Sequence, residues 1–495
     1  MKILFVQPSA DFFIRGTTYP VCRSIMTTAT YMKSVGHEVM VFDRCIDFRK
    51  KEKVFDEFMP QLVMVYVTPA VSIKDSIEIS AFAKGRGCFT VWGEIIAASL
   101  AEDAVERGCT DFVINGETER KLQLLVEELT GSSRFENVPG LTYLKNGRAV
   151  SNANENCSDL STLPGIDWEL IDVEKCFRKF PFCKKMLYLY TSRGCPYKCT
   201  YCYNTTFYNS EHRKRPLHFV LEEIKHLEKK HGLDGANFSD ELLLLSDDEI
   251  KEIAEFRKVN GLKFLWGGET RADIYKNPET LAKMYDAGCR WLLLGLETGS
   301  KKTQELINKP LDFAAVREFV DNCTKAGIAT FGSFIIGLPD ETGEQIKETV
   351  QYAQSLDLDA FLFSYYNAIP KTPLCNMLVE SGRTDTSKLL DKSTLAGQLQ
   401  DLTKNYSQIP DKDLRVIKSW FDWLTFTRKK KQAAEKNAFM KKALDTLKHF
   451  SQGNIKSSAK NLMSSAKTFV TVVFYAHCFP SVKKKYGLKN INKRH

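Results

Sequence analysis

The chain has 495 residues, 43% of them hydrophobic and 26% charged, enough apolar material for roughly two to four packed domains, which excludes a disordered chain. Its longest apolar run, Phe469 to Ala476, falls far short of the ~20 residues that cross a bilayer, and the N-terminal MKILFVQPSADFF has no small-residue cleavage site, so it reads as a buried strand and not a secretory signal. From Arg428 to His495 seventeen Lys or Arg stand against Glu435 and Asp445, so that segment alone carries the excess behind the net charge of +9.

In chain order, residues 1–150 alternate strand-like apolar runs with amphipathic stretches, the pattern of a parallel sheet covered on both faces. KILFVQP, EVMVFD, LVMVYVTP, CFTVWGE and DFVINGE predict strands. Cys22–Ser34, Ser72–Lys84 and Ala97–Arg107 carry apolar residues at three- and four-residue spacing and predict helices. This is an open doubly wound α/β domain, which binds ligand at the carboxyl ends of its strands. GLTYLKNGRAVSN then predicts a hairpin turning at Asn146-Gly147.

Residues 151–185 read as a linker, with Pro164-Gly165 and little periodicity. A second alternating series occupies 186–385, with predicted strands MLYLYTSR, GANFSDE, KFLWGGE, CRWLLLGLE, ATFGSFIIGL and AFLFSYYNAI. Helices are predicted at Leu217–Lys230, Asp247–Val259 and Gly343–Ser355. Six such units imply a partial or complete barrel with its chemistry at the carboxyl-end face. Residues 386–495 turn helical and Lys-rich.

Eleven of the fourteen cysteines are scattered singly and read as small buried hydrophobes. Cys195, Cys199 and Cys202 cluster in Ser192-Arg-Gly-Cys195-Pro-Tyr-Lys-Cys199-Thr-Tyr-Cys202-Tyr-Asn204, directly after the first strand of the second series. A structural zinc site wants four ligands, and no second Cys pair or His-x-His lies nearby. Three thiolates on a four-iron cluster leave one iron without a protein ligand.

CxxxCxxC with an aromatic residue, Tyr201, before the last cysteine resembles the signature of the radical S-adenosylmethionine (SAM) enzymes. The resemblance implies a [4Fe-4S] cluster on the three cysteines, whose open iron is chelated by SAM, and reductive cleavage to a 5′-deoxyadenosyl radical that attacks unactivated C–H bonds. It also implies a low-potential electron donor of the flavodoxin or ferredoxin type. Phe238-Ser-Asp240-Glu241 resembles the acidic stretch that receives the SAM amino group, without the glycines family members often carry. Arg271 is a candidate for the SAM carboxylate, with a structural ion pair as its alternative. Gly295-Leu-Glu297-Thr-Gly-Ser300 and Gly332-Ser-Phe-Ile-Ile-Gly337-Leu-Pro-Asp-Glu-Thr342 resemble SAM-contacting strand ends, with Glu297 or Ser300 reaching ribose or methionine and Gly337 beside adenine. No general acid, base or nucleophile is assigned.

An open α/β domain ahead of such a barrel resembles the class whose N-terminal, Rossmann-like domain binds cobalamin (B12). The resemblance rests on Lys2 to Pro8, Gly36 to Asp43, Thr68-Pro69, Trp92-Gly93-Glu94 and Asp111 to Gly116-Glu117-Thr-Glu119. Thr68, Pro69, Gly93, Glu94, Gly116 and Glu117 are the implied cobalamin contacts. The axial-histidine motif Asp-x-His-x-x-Gly is absent, and His37 reads as a strand boundary. The fold class is therefore α/β: a doubly wound B12-binding-type domain, a partial (β/α)6 radical SAM barrel and a helical C-terminal region. Two cofactors over one carbon imply C-methylation of a small-molecule substrate, with oxidative cyclisation or a non-catalytic Fe-S scaffold as alternatives. The methylthiotransferase branch fits poorly, because Cys22, Cys45, Cys88 and Cys109 sit in or beside predicted elements and the C-terminus is helical.

Arg428 to Lys431, Lys441-Lys442 and Lys483 to Lys485, with Phe439, Leu444, Leu447 and Phe450 at helical spacing, form a basic amphipathic segment. A solvated helix is one reading and contact with a membrane surface another, the latter suiting a hydrophobic substrate; nucleic acid is not the expected partner. The expected location is cytoplasmic, with peripheral membrane attachment as the variant.

Overall fold

The computed structural model describes residues 1–9, 23–68, 73–157, 159–391, 405–427 and 480–488. The chain forms two compact units, one of residues 1–243, 252–265 and 367–404 and the other of 244–251, 266–366 and 405–495.

In the first unit, β1 (Lys2–Gln7), β2 (Glu38–Asp43), β3 (Leu62–Tyr66), β4 (Phe89–Gly93), β5 (Phe112–Ile114), β6 (Leu141–Lys145) and β7 (Arg148–Ser151) form one sheet in the order β2-β1-β3-β4-β5-β6-β7. The first five pair in parallel and the hairpin β6–β7 closes the edge antiparallel. Strands buried on both faces need near-continuous apolar runs, and Ile3 to Val6 and Leu62 to Val67 are each fully buried. The hairpin turns where expected, with Asn146 at φ 54° and Gly147 at φ 76°, the conformation that matches the twist of the flanking strands. Because the order reverses between β1 and β3, the carboxyl ends of those two strands flank a topological switch point.

One expected helix is broken. Instead of Ala97–Arg107 there are two, Ile95–Ser99 and Ala101–Glu106, separated at Leu100 (φ −117°, ψ 19°). The N–H groups of Ile96 and Ala97 donate to the Val67 carbonyl, which pins the first turn to the end of β3 and fixes its direction independently of the second.

The linker contains one-turn 3-10 helices at Leu160–Thr162, Trp168–Leu170 and Val173–Lys175, then β8 (Arg178–Phe180), which runs antiparallel to β9 (Cys183–Leu189). A short ladder of β10 (Ser192–Arg193) with β11 (Arg213–Lys214) follows. β12 (Gly235–Phe238) pairs in parallel with β9.

The second unit carries β13 from Trp266 onward (whole strand Leu265–Thr270), β14 (Cys289–Glu297), β15 (Ala329–Ile336) and β16 (Ala360–Tyr365), all parallel. The intervening helices have strong start signals: Asn277 caps a helix with Pro278 in its first turn, Asp312 accepts from Ala314 and Ala315, and Thr342 with Gln345 makes a capping box. Helix Asp411–Thr427 covers β16 through Phe421 stacked on Phe363, centroids 4.0 Å apart. Helix Pro480–Tyr486 docks on it, with Tyr486 donating to Asp413 at 3.1 Å and the Lys483 ammonium 3.7 Å over the Trp420 ring. Lys485 also pairs with Asp413, at 3.0 Å. These two lysines of the basic segment thus face protein; Arg428–Lys431, Lys441-Lys442, Phe439 to Phe450 and the Phe469 run lie outside the described residues. Among the described residues no helix is long and apolar enough to cross a membrane.

Candidate active site

The three clustered cysteines sit in one loop of the first unit, pinched at its base by the β10–β11 ladder. Gly194 enters the loop at φ 79°, and a Cβ there would lie 1.9 Å from the Glu211 carbonyl oxygen, so only glycine fits. Buried Asn204 holds the loop from inside: its Oδ1 accepts from the Cys195 N–H at 2.8 Å, and its Nδ2 donates to the carbonyls of Cys195 (2.6 Å) and Tyr197 (3.3 Å). The Cys202 N–H closes a turn on the Cys199 carbonyl at 3.1 Å. Cys199 is buried, Cys195, Tyr201 and Cys202 are half-buried, and none of the three thiols forms a disulfide. A soft donor set of three thiols from one tight loop suits an iron–sulfur cluster with one iron open.

The two acidic candidates at the end of β12 behave differently. Asp240, 1% exposed, accepts from the N–H groups of Thr191 (2.7 Å) and Ser192 (3.1 Å) and from the Thr191 hydroxyl (2.5 Å), so it ties β12 to the end of β9. Glu241 is half-buried and touches the cysteine loop, accepting from the Gly194 N–H at 2.9 Å and from the Tyr203 hydroxyl at 3.2 Å. Of the pair, Glu241 is the one at the thiol loop.

A buried charge network stands behind that loop. The Arg193 guanidinium, 7% exposed, donates to Glu117 at 2.9 Å and Glu119 at 2.8 Å. Arg213 meets the other Glu117 oxygen at 2.6 Å, and the Cys157 N–H donates to Glu117 at 2.8 Å. Burial raises the Glu117 carboxyl, but the facing Arg193 and Arg213 charges outweigh it and hold it below the ordinary range. Glu117, 7% exposed, thus has both carboxylate oxygens bonded within this network. Arg193, Glu119 and Asn204 were not assigned a role from the sequence; Arg193 two residues before the first cysteine, Asn204 two residues past the last and Glu119 in the stretch after β5 were the local signals.

At the carboxyl ends of the first sheet the structure leaves polar atoms without partners. Among the described residues, both amide atoms of fully buried Gln7 (end of β1), Asp43 Oδ2 (end of β2) and the Thr68 hydroxyl (past β3) have no hydrogen-bond partner. Burial pushes the Asp43 carboxyl up to about 6, against the opposing pull of the Cys45 N–H. Gly93 allows close approach, since a Cβ would meet Met64 Cε at 2.4 Å and Thr118 Cγ2 at 3.0 Å. Glu94 is held at φ 85° and accepts from Ile95 at the start of the next helix. Gly116 (φ 76°) opens onto a cavity of about 220 Å3 lined also by Ile95, Asn115, Asn154, Phe207 and Lys371. Pro69 lies outside the described residues. His37 sits at the amino end of β2, 3.4 Å from the N-terminal nitrogen, the opposite end of the sheet from Gln7.

In the second unit, Glu297 follows a bulge in the β14–β15 pairing and takes φ 59°. A bulge re-aims the side chain after it, and here the carboxylate meets Lys309 at 2.7 Å, both groups buried. Ser300, 2% exposed, heads the helix Lys301–Leu306. Arg271 pairs with Asp273 through Nε and Nη2 at 2.9 and 2.7 Å, which shows its structural alternative. Gly337 (φ 80°) donates its N–H to Glu341 at 2.9 Å, and Leu338 does so at 3.3 Å. The second Glu341 oxygen has no partner, and burial pushes this carboxyl up to about 7 against those two N–H groups. Lys309 and Glu341 carried no separate sequence signal.

Residues 189–353 match the family described as the radical SAM superfamily. Those residues form a radical SAM domain. This radical SAM enzyme is 27% identical over 385 residues to an uncharacterized methyltransferase of Pyrococcus horikoshii, spanning 76% of this chain and 82% of that protein. It is also 27% identical over 390 residues to the anaerobic magnesium-protoporphyrin IX monomethyl ester cyclase of Cereibacter sphaeroides, across 76% of this chain and 63% of the cyclase. Among solved structures, the cobalamin-dependent SAM radical enzyme OxsB with aqua-cobalamin bound superposes with a TM-score of 0.69 at 15% identity, covering 98% of this chain and 80% of OxsB. That likeness gives the fold, a doubly wound α/β domain followed by a partial radical SAM barrel. The superfamily's cofactors are SAM and a [4Fe-4S] cluster, and the loop of Cys195, Cys199 and Cys202 has the donors the cluster needs. A small-molecule substrate and an electron donor go with that chemistry.

Replacing Arg193 by Met leaves Glu119 buried without its guanidinium and should cost about 3–5 kcal/mol, read as a lower urea midpoint for the full chain; an unchanged midpoint would show that the network contributes nothing. Glu341 supplies a pH signature. Its folded pKa lies above the unfolded value, so its contribution is full below about 4.5 and is lost as pH rises through about 7. Glu341→Gln should therefore flatten the fall in Tm between pH 6 and 8.5, by up to roughly 3 kcal/mol at the alkaline end; parallel Tm curves for the two proteins would contradict the assignment.

Proposed function

We propose that this radical SAM enzyme methylates an unactivated carbon of a hydrophobic small molecule, with cobalamin as the methyl carrier. When bound, the cluster and SAM supply a reductively generated carbon radical, and the corrinoid supplies a transferable methyl group. The observation that carries the cobalamin half is the set of buried polar atoms of Gln7, Asp43 and Thr68 around the β1/β3 switch point, which have no partner among the described residues. A buried polar atom with no partner costs about 1–3 kcal/mol, and three such residues at the ligand-binding end of a doubly wound sheet fit a polar ligand rimmed by amides. His37 stands at the other end of the sheet, so no described histidine of this domain serves as an axial ligand.

In the first unit, Cys195, Cys199 and Cys202 hold the cluster, Tyr201 flanks it, and Glu241 is the carboxylate for the SAM ammonium. Thr68, Gly93 and Gly116 face the corrinoid. In the second unit, Ser300 and the Gly337 backbone are the SAM contacts, oriented by Glu297–Lys309 and Glu341. The reductant is a flavodoxin- or ferredoxin-type donor, and the cytoplasm is the proposed location. A basic C-terminal segment at an anionic membrane would suit the hydrophobic substrate. The cyclase relative keeps oxidative cyclisation as the second reading.

Anaerobically reconstituted enzyme, given reductant, hydroxocobalamin and SAM labelled at its methyl group, should release 5′-deoxyadenosine and carry label onto the corrinoid, and Cys195→Ala should do neither. Deoxyadenosine without label on the corrinoid would favour cyclisation. Cleavage that survives Cys195→Ala would overturn the assignment of the cluster.

A further inference from the structure

Away from all of these groups, the linker meets the first helix of the second αβ series at a cluster of two imidazoles and a carboxylate. Glu169 lies in the one-turn helix Trp168–Leu170, and His226 and His231 lie in the last turns of helix Leu217–His231. One ligand atom from each residue lies within 4.8 Å of the others. Glu169 Oε1 is 3.5 Å from His226 Nε2 and 4.0 Å from His231 Nε2. The second distance is too long for a hydrogen bond. His231 Nε2 is shut off from solvent and has no hydrogen-bond partner among the described residues, although a carboxylate oxygen faces it.

From this cluster we infer that Glu169, His226 and His231 form a site for a zinc-class divalent cation that clips the linker to the helix. Two neutral imidazoles and a carboxylate are the borderline donors that such a metal takes, with water filling the remaining position. Donors held about 2.1 Å from a tetrahedral metal lie about 3.4 Å apart. The His226–Glu169 pair is already at that spacing, and the other pairs need to close by about an ångström. Glu169 and His226 are about half exposed, so rotamer adjustment suffices and the backbone need not move.

The other groups around the site fit this role. Glu174 Oε1 lies 3.5 Å from His231 Nδ1, positioned to orient the ring so that Nε2 faces the cation. The Lys230 ammonium pairs with Glu169 Oε1, the oxygen the cation would take. A dication must displace it, so Lys230 is a built-in competitor. The same short stretch of linker already touches two helices. Asp167 pairs with Lys33 at 2.7 Å and its N–H donates to Thr30, while the Ile166 N–H donates to Glu223 on the His-bearing helix. A cation at Glu169 would lock this junction and stiffen the linker between the doubly wound domain and the cysteine loop.

The test is equilibrium dialysis of the cluster-reconstituted full chain against Zn2+, with metal analysis. The inference predicts one zinc per chain beyond the iron, at least tenfold weaker binding in His226→Ala and in Glu169→Gln, and tighter binding in Lys230→Met. Far-UV circular dichroism checks that each variant is folded. The Cys195/Cys199/Cys202→Ala triple variant must keep this zinc, because the site shares nothing with the thiols. Zinc that disappears with the cysteines, or that stays at full stoichiometry and affinity when both histidines are replaced by Ala, would overturn it.

Discussion

A guanidinium taken out of water costs several kcal/mol unless its charge is answered where it sits. Arg193 meets that demand with Glu117 and Glu119, which enter just past β5 of the first sheet. Since Arg193 immediately precedes Gly194 and Cys195, neutralising its charge also fixes where the thiol loop begins. Arg213, on the strand that closes the loop, shares Glu117 from the other side. The loop is therefore anchored at both ends of its two-residue ladder to one carboxylate that follows β5. Asn204 and Asp240, each bonded to backbone, hold what lies between and behind.

The same economy governs the second unit. A bulge turns Glu297 onto Lys309, and Glu341 gathers the two N–H groups of the Gly337 turn. In both places a buried acid shapes a strand end, which leaves the backbone to present itself to a ligand. Glu341 differs in having no cation beside it, and burial therefore raises its pKa where Glu117 is lowered. One device is insensitive to pH near neutrality and the other titrates there.

Much of this was legible in the sequence because it is local. Apolar runs such as Leu62 to Val67 announce a strand buried on both faces, Asn146-Gly147 a hairpin turn, and Cys195, Cys199 and Cys202 a metal loop. What was hidden depends on partners far apart in the chain. Nothing beside Glu117 shows that its partners are Arg193, 76 positions on, and Arg213, 96 positions on. Asp240 and Glu241 are adjacent and chemically alike, and only the backbone N–H groups of Thr191 and Ser192 separate the structural carboxylate from the one at the loop. The Arg271 pair with Asp273, two residues on, carried no periodic signal. The break at Leu100 came from a carbonyl in another element, that of Val67, which no helical periodicity records.

The account rests on the thiol loop holding a cluster with a vacant iron, and electron paramagnetic resonance of the reduced, anaerobically reconstituted protein tests it most directly. About four iron and four sulfide per chain, with a reduced-cluster signal whose g-values shift when SAM is added, is the result it predicts. A signal indifferent to SAM, or thiols occupied by zinc without sulfide, would contradict it.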